Sequence, residues 1–236
     1  MLARRRSLFY YGVLAACLGA AAPTAAASAA ASATAAAAAA ATPAQLAAFF
    51  RAVELDDVNK VERLLAGGID PNEINPVGGE PALVIAVRED AMRVLATLVA
   101  QPGIDLQAQA MNGNTALMMA AYKDRRQAAA ILLARGATIK RSGWTALHYA
   151  AASGSAPIAR LLIKQAANLD AVSPRGSGAY TPLMMAAREG KAQVARLLLE
   201  EGADPARTNG EGLSAARIAE RAGHTDLAAA IDAFQP

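Results

Sequence analysis

The residues with most chemistry to offer in this chain are two histidines, one cysteine, two methionine pairs and a scatter of carboxylates. Catalysis by a nucleophile needs a base within hydrogen-bond reach, and a metal needs three or four donors converging on one point. His148 and His224 stand alone, with no second histidine or cysteine at ligand spacing, and no HExxH, CxxC or GxSxG occurs. Met118-Met119 and Met184-Met185 are soft donors of the kind that suits copper. A thioether also fills irregular core space, and one methionine of each pair must face a neighbouring element. Glycoside hydrolysis needs two acids facing each other across a cleft, whereas Asp56-Asp57 and Glu200-Glu201 sit side by side next to turns. Asp70, Asp105, Asp170 and Asp204 recur near loop starts, where carboxylates cap backbone N–H groups. A hydrolase or metal-dependent enzyme would rest on His148 or His224; no catalytic residue, metal or cofactor is expected.

The elements that must hold these residues repeat. Pro81-Ala-Leu-Val-Ile-Ala-Val87, Thr115-Ala-Leu-Met-Met-Ala-Ala121, Thr145-Ala-Leu-His-Tyr-Ala-Ala151, Thr181-Pro-Leu-Met-Met-Ala-Ala187 and Ser214-Ala-Ala-Arg-Ile-Ala219 begin 34, 30, 36 and 33 positions apart. Each opens a short helix. In the clearest case Thr181 is the N-cap and Pro182 takes the first helical position, where its missing N–H costs nothing. Gly190 ends that helix, and a second runs from about Ala192 to Glu200 with Val194, Leu197 and Leu198 on one stripe. Equivalent stripes are Val61, Leu64, Leu65; Val94, Leu95, Leu98; Ala128, Ile131, Leu132; and Ile158, Leu161, Leu162. One helix pair cannot close a core, so the pairs must stack, with Leu83, Leu117, Leu147 and Leu183 in a buried row and Ala120, Ala150 and Ala186 allowing close approach.

The phrase resembles the ankyrin pattern T-P-L-H-x-A-A, and the period fits. The resemblance implies an all-α ankyrin solenoid of helix-turn-helix repeats with β-turn loops. About six repeats cover residues 43–236, counting a degenerate first unit from Thr42-Pro43 and a last one with Ala216 and Arg217 in place of leucine and histidine. His148 then occupies the position of the family's motif histidine, which hydrogen-bonds loop backbone, and Met118-Met119 and Met184-Met185 replace it in other units. Ankyrin repeats bind proteins through their concave side. The positions matching that side are Trp144, Tyr180, Tyr122, Lys123, Arg88, Glu89, Arg188 and Glu189, with the rigid aromatics Trp144 and Tyr180 as leading contacts. Two loops depart from the regular length: Lys140-Arg141-Ser142-Gly143 is about three residues short, and Ala171–Ala179 with Arg175 is about three long, so a notch is expected between them.

Residues 1–27 read as an export signal, with basic Arg4-Arg5-Arg6, an apolar run from Leu8 to Leu18 and small residues after it. Arg5-Arg6-Ser7-Leu8-Phe9 also fits a twin-arginine signal, while three arginines equally suit the ordinary route. Leu14-Ala-Ala-Cys17 resembles a lipobox in which Cys17 would be acylated; the competing reading has Cys17 inside the apolar run and cleavage after Ala25 or Ala27. Residues 28–42, nearly all Ala, Ser and Thr, read as a tether. With Arg4, Arg5 and Arg6 set aside, 20 basic side chains balance 20 acidic ones, so the basic pI of 9.2 predicts no nucleic-acid partner.

The expectation is a non-enzymatic, monomeric protein-binding module of the periplasm or cell envelope, touching membrane only through a lipid on Cys17. Its resemblance to small exported bacterial ankyrin proteins implies an accessory, protective or inhibitory role toward another exported protein. The rival reading is a structural spacer.

Overall fold

A computed structural model describes residues 41–234. The export signal, Cys17 and nearly all of the tether lie outside the described residues. Within them the chain forms twelve α-helices arranged as six pairs: α1 Pro43–Glu54 with α2 Val58–Ala66, α3 Ala82–Arg88 with α4 Met92–Val99, α5 Ala116–Tyr122 with α6 Arg126–Ala134, α7 Ala146–Ser153 with α8 Ala156–Lys164, α9 Pro182–Arg188 with α10 Ala192–Glu200, and α11 Ala215–Arg221 with α12 Thr225–Asp232. No strand forms among the described residues; the loops carry only the isolated bridges Ile74–Pro81 and Thr208–Ser214. The six-repeat helical solenoid expected from the sequence is the fold observed.

The caps follow from residue chemistry. Thr42 accepts from the Gln45 N–H and Gln45 answers to the Thr42 N–H at 2.9 Å, a reciprocal pair that starts α1 with Pro43 at its first position. Thr115, Thr181 and Ser214 accept in the same way from Met118, Met184 and Arg217. Leu83, Leu117, Leu147 and Leu183 are buried in one row, and Ala120, Ala150 and Ala186 are wholly inaccessible between first helices. The second-helix stripes seal the other side through Val61, Val94, Ala128, Ile158 and Val194, all fully buried.

Loop length departs from regularity where the sequence does. The long loop contains a single 3-10 turn, Arg175–Ser177, and Pro174 lies against Gly143 of the short loop, so the notch is partly filled from one side. Gly178 also accepts from the Gly210 N–H at 2.8 Å, tying the long loop to the next one. A matching tie joins Met111 N–H to the Gly79 carbonyl at 3.2 Å. The loop-start carboxylates act as expected: Asp70, Asp105 and Asp204 accept from the N–H groups two residues on.

Candidate functional site

A groove of about 800 Å3 crosses the first helices of the third, fourth and fifth units. Tyr122 and Lys123 close α5, Tyr149, Ala152 and Ser153 come from α7, and Met185 with Arg188 from α9. Trp144 enters from the residue before the α7 N-cap. Short first helices and small residues on their packed faces set the three units close together, so side chains four and seven positions after each N-cap meet across repeats.

The floor is aromatic. The Tyr149 ring meets Tyr122 at 6.2 Å and 85°, and Trp144 at 6.1 Å and 52°, while Trp144 stands edge-on to His148 at 5.3 Å. These are the spacings at which aromatic rings attract beyond their burial. Tyr149 donates its hydroxyl to Asn114 at 2.5 Å, and burial raises the phenol above its ordinary range, so it stays a neutral donor.

His148 lies beneath that floor, inaccessible to solvent. Its Nδ1 accepts from the Thr145 N–H at 3.2 Å, which assigns the proton to Nε2, and that N–H donates to the Tyr180 carbonyl at 3.0 Å. Burial lowers its pKa to about 4, so the ring is neutral at pH 7 and both nitrogens are engaged. This is the loop-bracing role that the resemblance implied. The Met184 sulfur faces the Thr181 N–H at 3.4 Å in the corresponding place, a weaker form of the same contact. Among the described residues no group of three or more His, Cys, Asp or Glu side chains could hold a metal ion.

The nine expected contact residues divide. Tyr122, Lys123, Trp144, Arg188 and Glu189 line the groove together. Arg88 and Glu89 lie one unit away, with Arg88 bridging Glu80 and Glu89. Arg175 is exposed on the 3-10 turn of the long loop, outside the groove. Tyr180 differs most from expectation: it is 8 % exposed, buried in the core rather than projecting as a contact. Its register partner explains why. Trp144 and Tyr180 each precede an N-cap threonine, and the residue eight positions on is Ala152 in one unit and Arg188 in the other. The Arg188 guanidinium covers the Tyr180 ring at 5.3 Å, and Gly178 leaves room beneath it. Ala152 covers nothing, so Trp144 remains half-buried and faces the groove.

Tyr149, Asp124 and Ser153 were not singled out from sequence, and Met185 only as half of a pair of soft donors or core fillers. The signal for two of them was register: Tyr149 and Met185 sit four residues after their N-cap threonines, equivalent to each other and to Met119.

Comparison with known proteins gives the same architecture. A family model described as "Ankyrin repeats (3 copies)" matches residues 49–142, 83–173 and 137–209. The chain is 41% identical over 76 residues to the mouse (Mus musculus) protein "Protein fem-1 homolog A-like", covering 31% of this chain and 12% of that protein. It is 34% identical over 116 residues to the human (Homo sapiens) protein "Transient receptor potential cation channel subfamily A member 1", covering 48% of this chain and 10% of that one. The chain thus spans about a tenth of the length of these relatives.

Proposed function

We infer the function from one premise: the chain belongs to the ankyrin repeat family, whose repeats mediate protein–protein interaction. The groove across α5, α7 and α9 is the binding face, and the observation that carries this is the uncovered aromatic cluster of Tyr122, Trp144 and Tyr149. Three rigid, amphipathic rings with charged Lys123, Asp124, Arg188 and Glu189 around them form the anchor-and-rim composition of a protein contact surface. The role is non-enzymatic. His148 is engaged at both nitrogens, and the lining carboxylates Asp124 and Glu189 are paired with Arg126 and Arg188.

The client is another exported protein, and the module acts in the cell envelope as its accessory, protector or inhibitor. The layout of residues 1–27 and the Ala-rich segment 28–42 support this location, with Cys17 as the acylation site of a tethered form. A spacer without a specific contact would have no use for an aromatic groove.

A photo-crosslinking amino acid at position 122 or 144, introduced in the native host, tests the reading. One dominant exported protein captured from both positions is expected; capture that is diffuse, or unchanged when the probe is moved to the exposed outer residue Arg160, would overturn it. Mass spectrometry of the same recovered chain reads its N-terminus, which begins at a lipid-modified Cys17 in the tethered form and after Ala25 or Ala27 in the soluble one.

A further inference from the structure

The balanced net charge of residues 43–236 conceals a strong segregation. Residues 122–191 carry eleven Lys and Arg against three Asp and Glu. Residues 43–121 carry five against ten, and residues 192–236 four against seven. The stretch from the end of the third unit to the middle of the fifth is therefore a basic band between two acidic ends.

Several of these cations gather around the groove. Lys123 lines it and Arg188 borders it. The Lys191 stem lies against Gly154, next to the lining residue Ser153. Arg141 contacts the Gly113 carbonyl at 3.5 Å and sits near enough to Tyr149 to favour negative charge there. Among the described residues Lys123, Arg141 and Lys191 form no ion pair. The acids nearby are engaged: Asp124 with Arg126 and Ser155, and Glu189 with Arg188.

We propose, on the footing of the binding role above, that the groove takes a short extended segment rich in Asp and Glu from the partner protein, with an aromatic or aliphatic side chain seated against Trp144 and Tyr122. Length follows from geometry. Three first helices packed about 8–10 Å apart span about 20 Å, with Lys123 after α5 at one end and Lys191 after α9 at the other, and an extended chain at about 3.3 Å per residue crosses that span in about six residues. Acidic flanks repel whatever runs further, so a long uniform polyanion such as a nucleic-acid strand gains at the centre and loses at both ends. An acidic stretch bounded by neutral or basic residues matches all three zones.

The full chain is panned against a phage-displayed library of random dodecapeptides, and the peptides recovered are measured against variants. The expected binders are enriched in Asp and Glu, lose binding with Trp144→Ala, and weaken about tenfold with Lys123→Glu combined with Lys191→Glu, an effect that shrinks as salt rises. Arg160→Glu with Lys164→Glu, the same charge change on exposed positions of α8, leaves affinity within about twofold. Binders that need Trp144 but lack acids, or ignore Lys123 and Lys191, would overturn the acidic segment and leave the binding role intact. Recovery of no binder that depends on Trp144 would overturn both. A single-stranded DNA 20-mer or phosphatidylglycerol vesicles bound more tightly than the peptides, with the same lysine dependence, would assign the basic band to another class of ligand and overturn the acidic segment.

Discussion

The Asp56 carboxylate accepts a hydrogen bond from the Val94 N–H at 2.8 Å, reaching 38 positions along the chain to cap a helix in the next repeat. Its target, α4, has Ala91 at the N-cap and no side-chain cap of its own. Asp56 reaches it because its backbone is left-handed, φ 53°, in the turn between α1 and α2. Asp90 and Asp124 repeat the device at φ 61° and 51°: Asp90 pairs with Arg125 at 3.1 Å and Asp124 accepts from the Ser155 hydroxyl. In the later units the same turn position is Gly154, Gly190 and Gly223, at φ 84°, 65° and 83°. Aspartate is among the few residues that tolerate this region, so here it supplies both the turn and a staple to the following unit.

Asp56→Ala is accordingly expected to cost about 1–2 kcal/mol, by removing the cap on α4 and placing a Cβ without compensation in the left-handed region. Asp56→Gly loses the bond but relieves the backbone, so it should cost less. Urea midpoints of the two variants check the order.

Acid should weaken the fold through His148. A folded pKa of about 4, below the ordinary 6.5, means the folded state binds the proton less readily than the unfolded chain. Its contribution is complete above pH 6.5 and falls by about 3 kcal/mol as pH drops to 4. Met occupies the same register at Met118 and Met184, so His148→Met should fold. It should lose about 1 kcal/mol at pH 7 with the Tyr180 carbonyl bond, and flatten the stability curve between pH 6.5 and 4. Chemical denaturation across that range measures both; parallel curves for the two proteins would refute the assignment.

Two substitutions separate groove from core. Ala152→Arg reproduces in the fourth unit the cover that Arg188 gives Tyr180, so it should sheathe Trp144 and abolish client binding with the melting temperature nearly unchanged. Tyr180→Ala should instead cost about 3 kcal/mol of stability, as a buried aromatic removed from the core. Thermal melts paired with a binding assay discriminate the two.

Packing between first helices leaves no slack. Ala150→Leu should cost about 1–3 kcal/mol from overpacking, and Leu162→Ala about 2–5 kcal/mol from the cavity it opens. Both residues are fully buried, and both values are readable from denaturant midpoints.

Repetition made the fold legible. Thr181-Pro182 and Thr42-Pro43 mark helix starts by local chemistry alone, and the 30- to 36-residue period then orders the units. The groove was legible only in part, because a side chain's exposure depends on what lies eight residues further on and one repeat away. Trp144 and Tyr180 have the same register and the same residue class, yet Ala152 leaves one open and Arg188 closes the other. Likewise Asp56-Asp57 looks like surface charge beside a turn. Its reach to Val94 spans two repeats and leaves no trace in local composition.

The ties between loops have a mechanical consequence. Backbone bonds clamp the first loop to the second at Gly79–Met111 and the fourth to the fifth at Gly178–Gly210. Asn72 reinforces the first clamp through Gly103 and Asp105, and Asp170 the second through Asp204. Among the described residues no such backbone bond joins the third, shortened loop to a neighbour; Arg141 reaches the Gly113 carbonyl and Pro174 lies against Gly143. On the loop side backbone bonds thus join the first two loops and the last two, and the line between these pairs runs beside the groove. Across that line the units are joined by the packing of α5 against α7 and of α7 against α9, so the groove takes its shape from helix contacts and not from the loops.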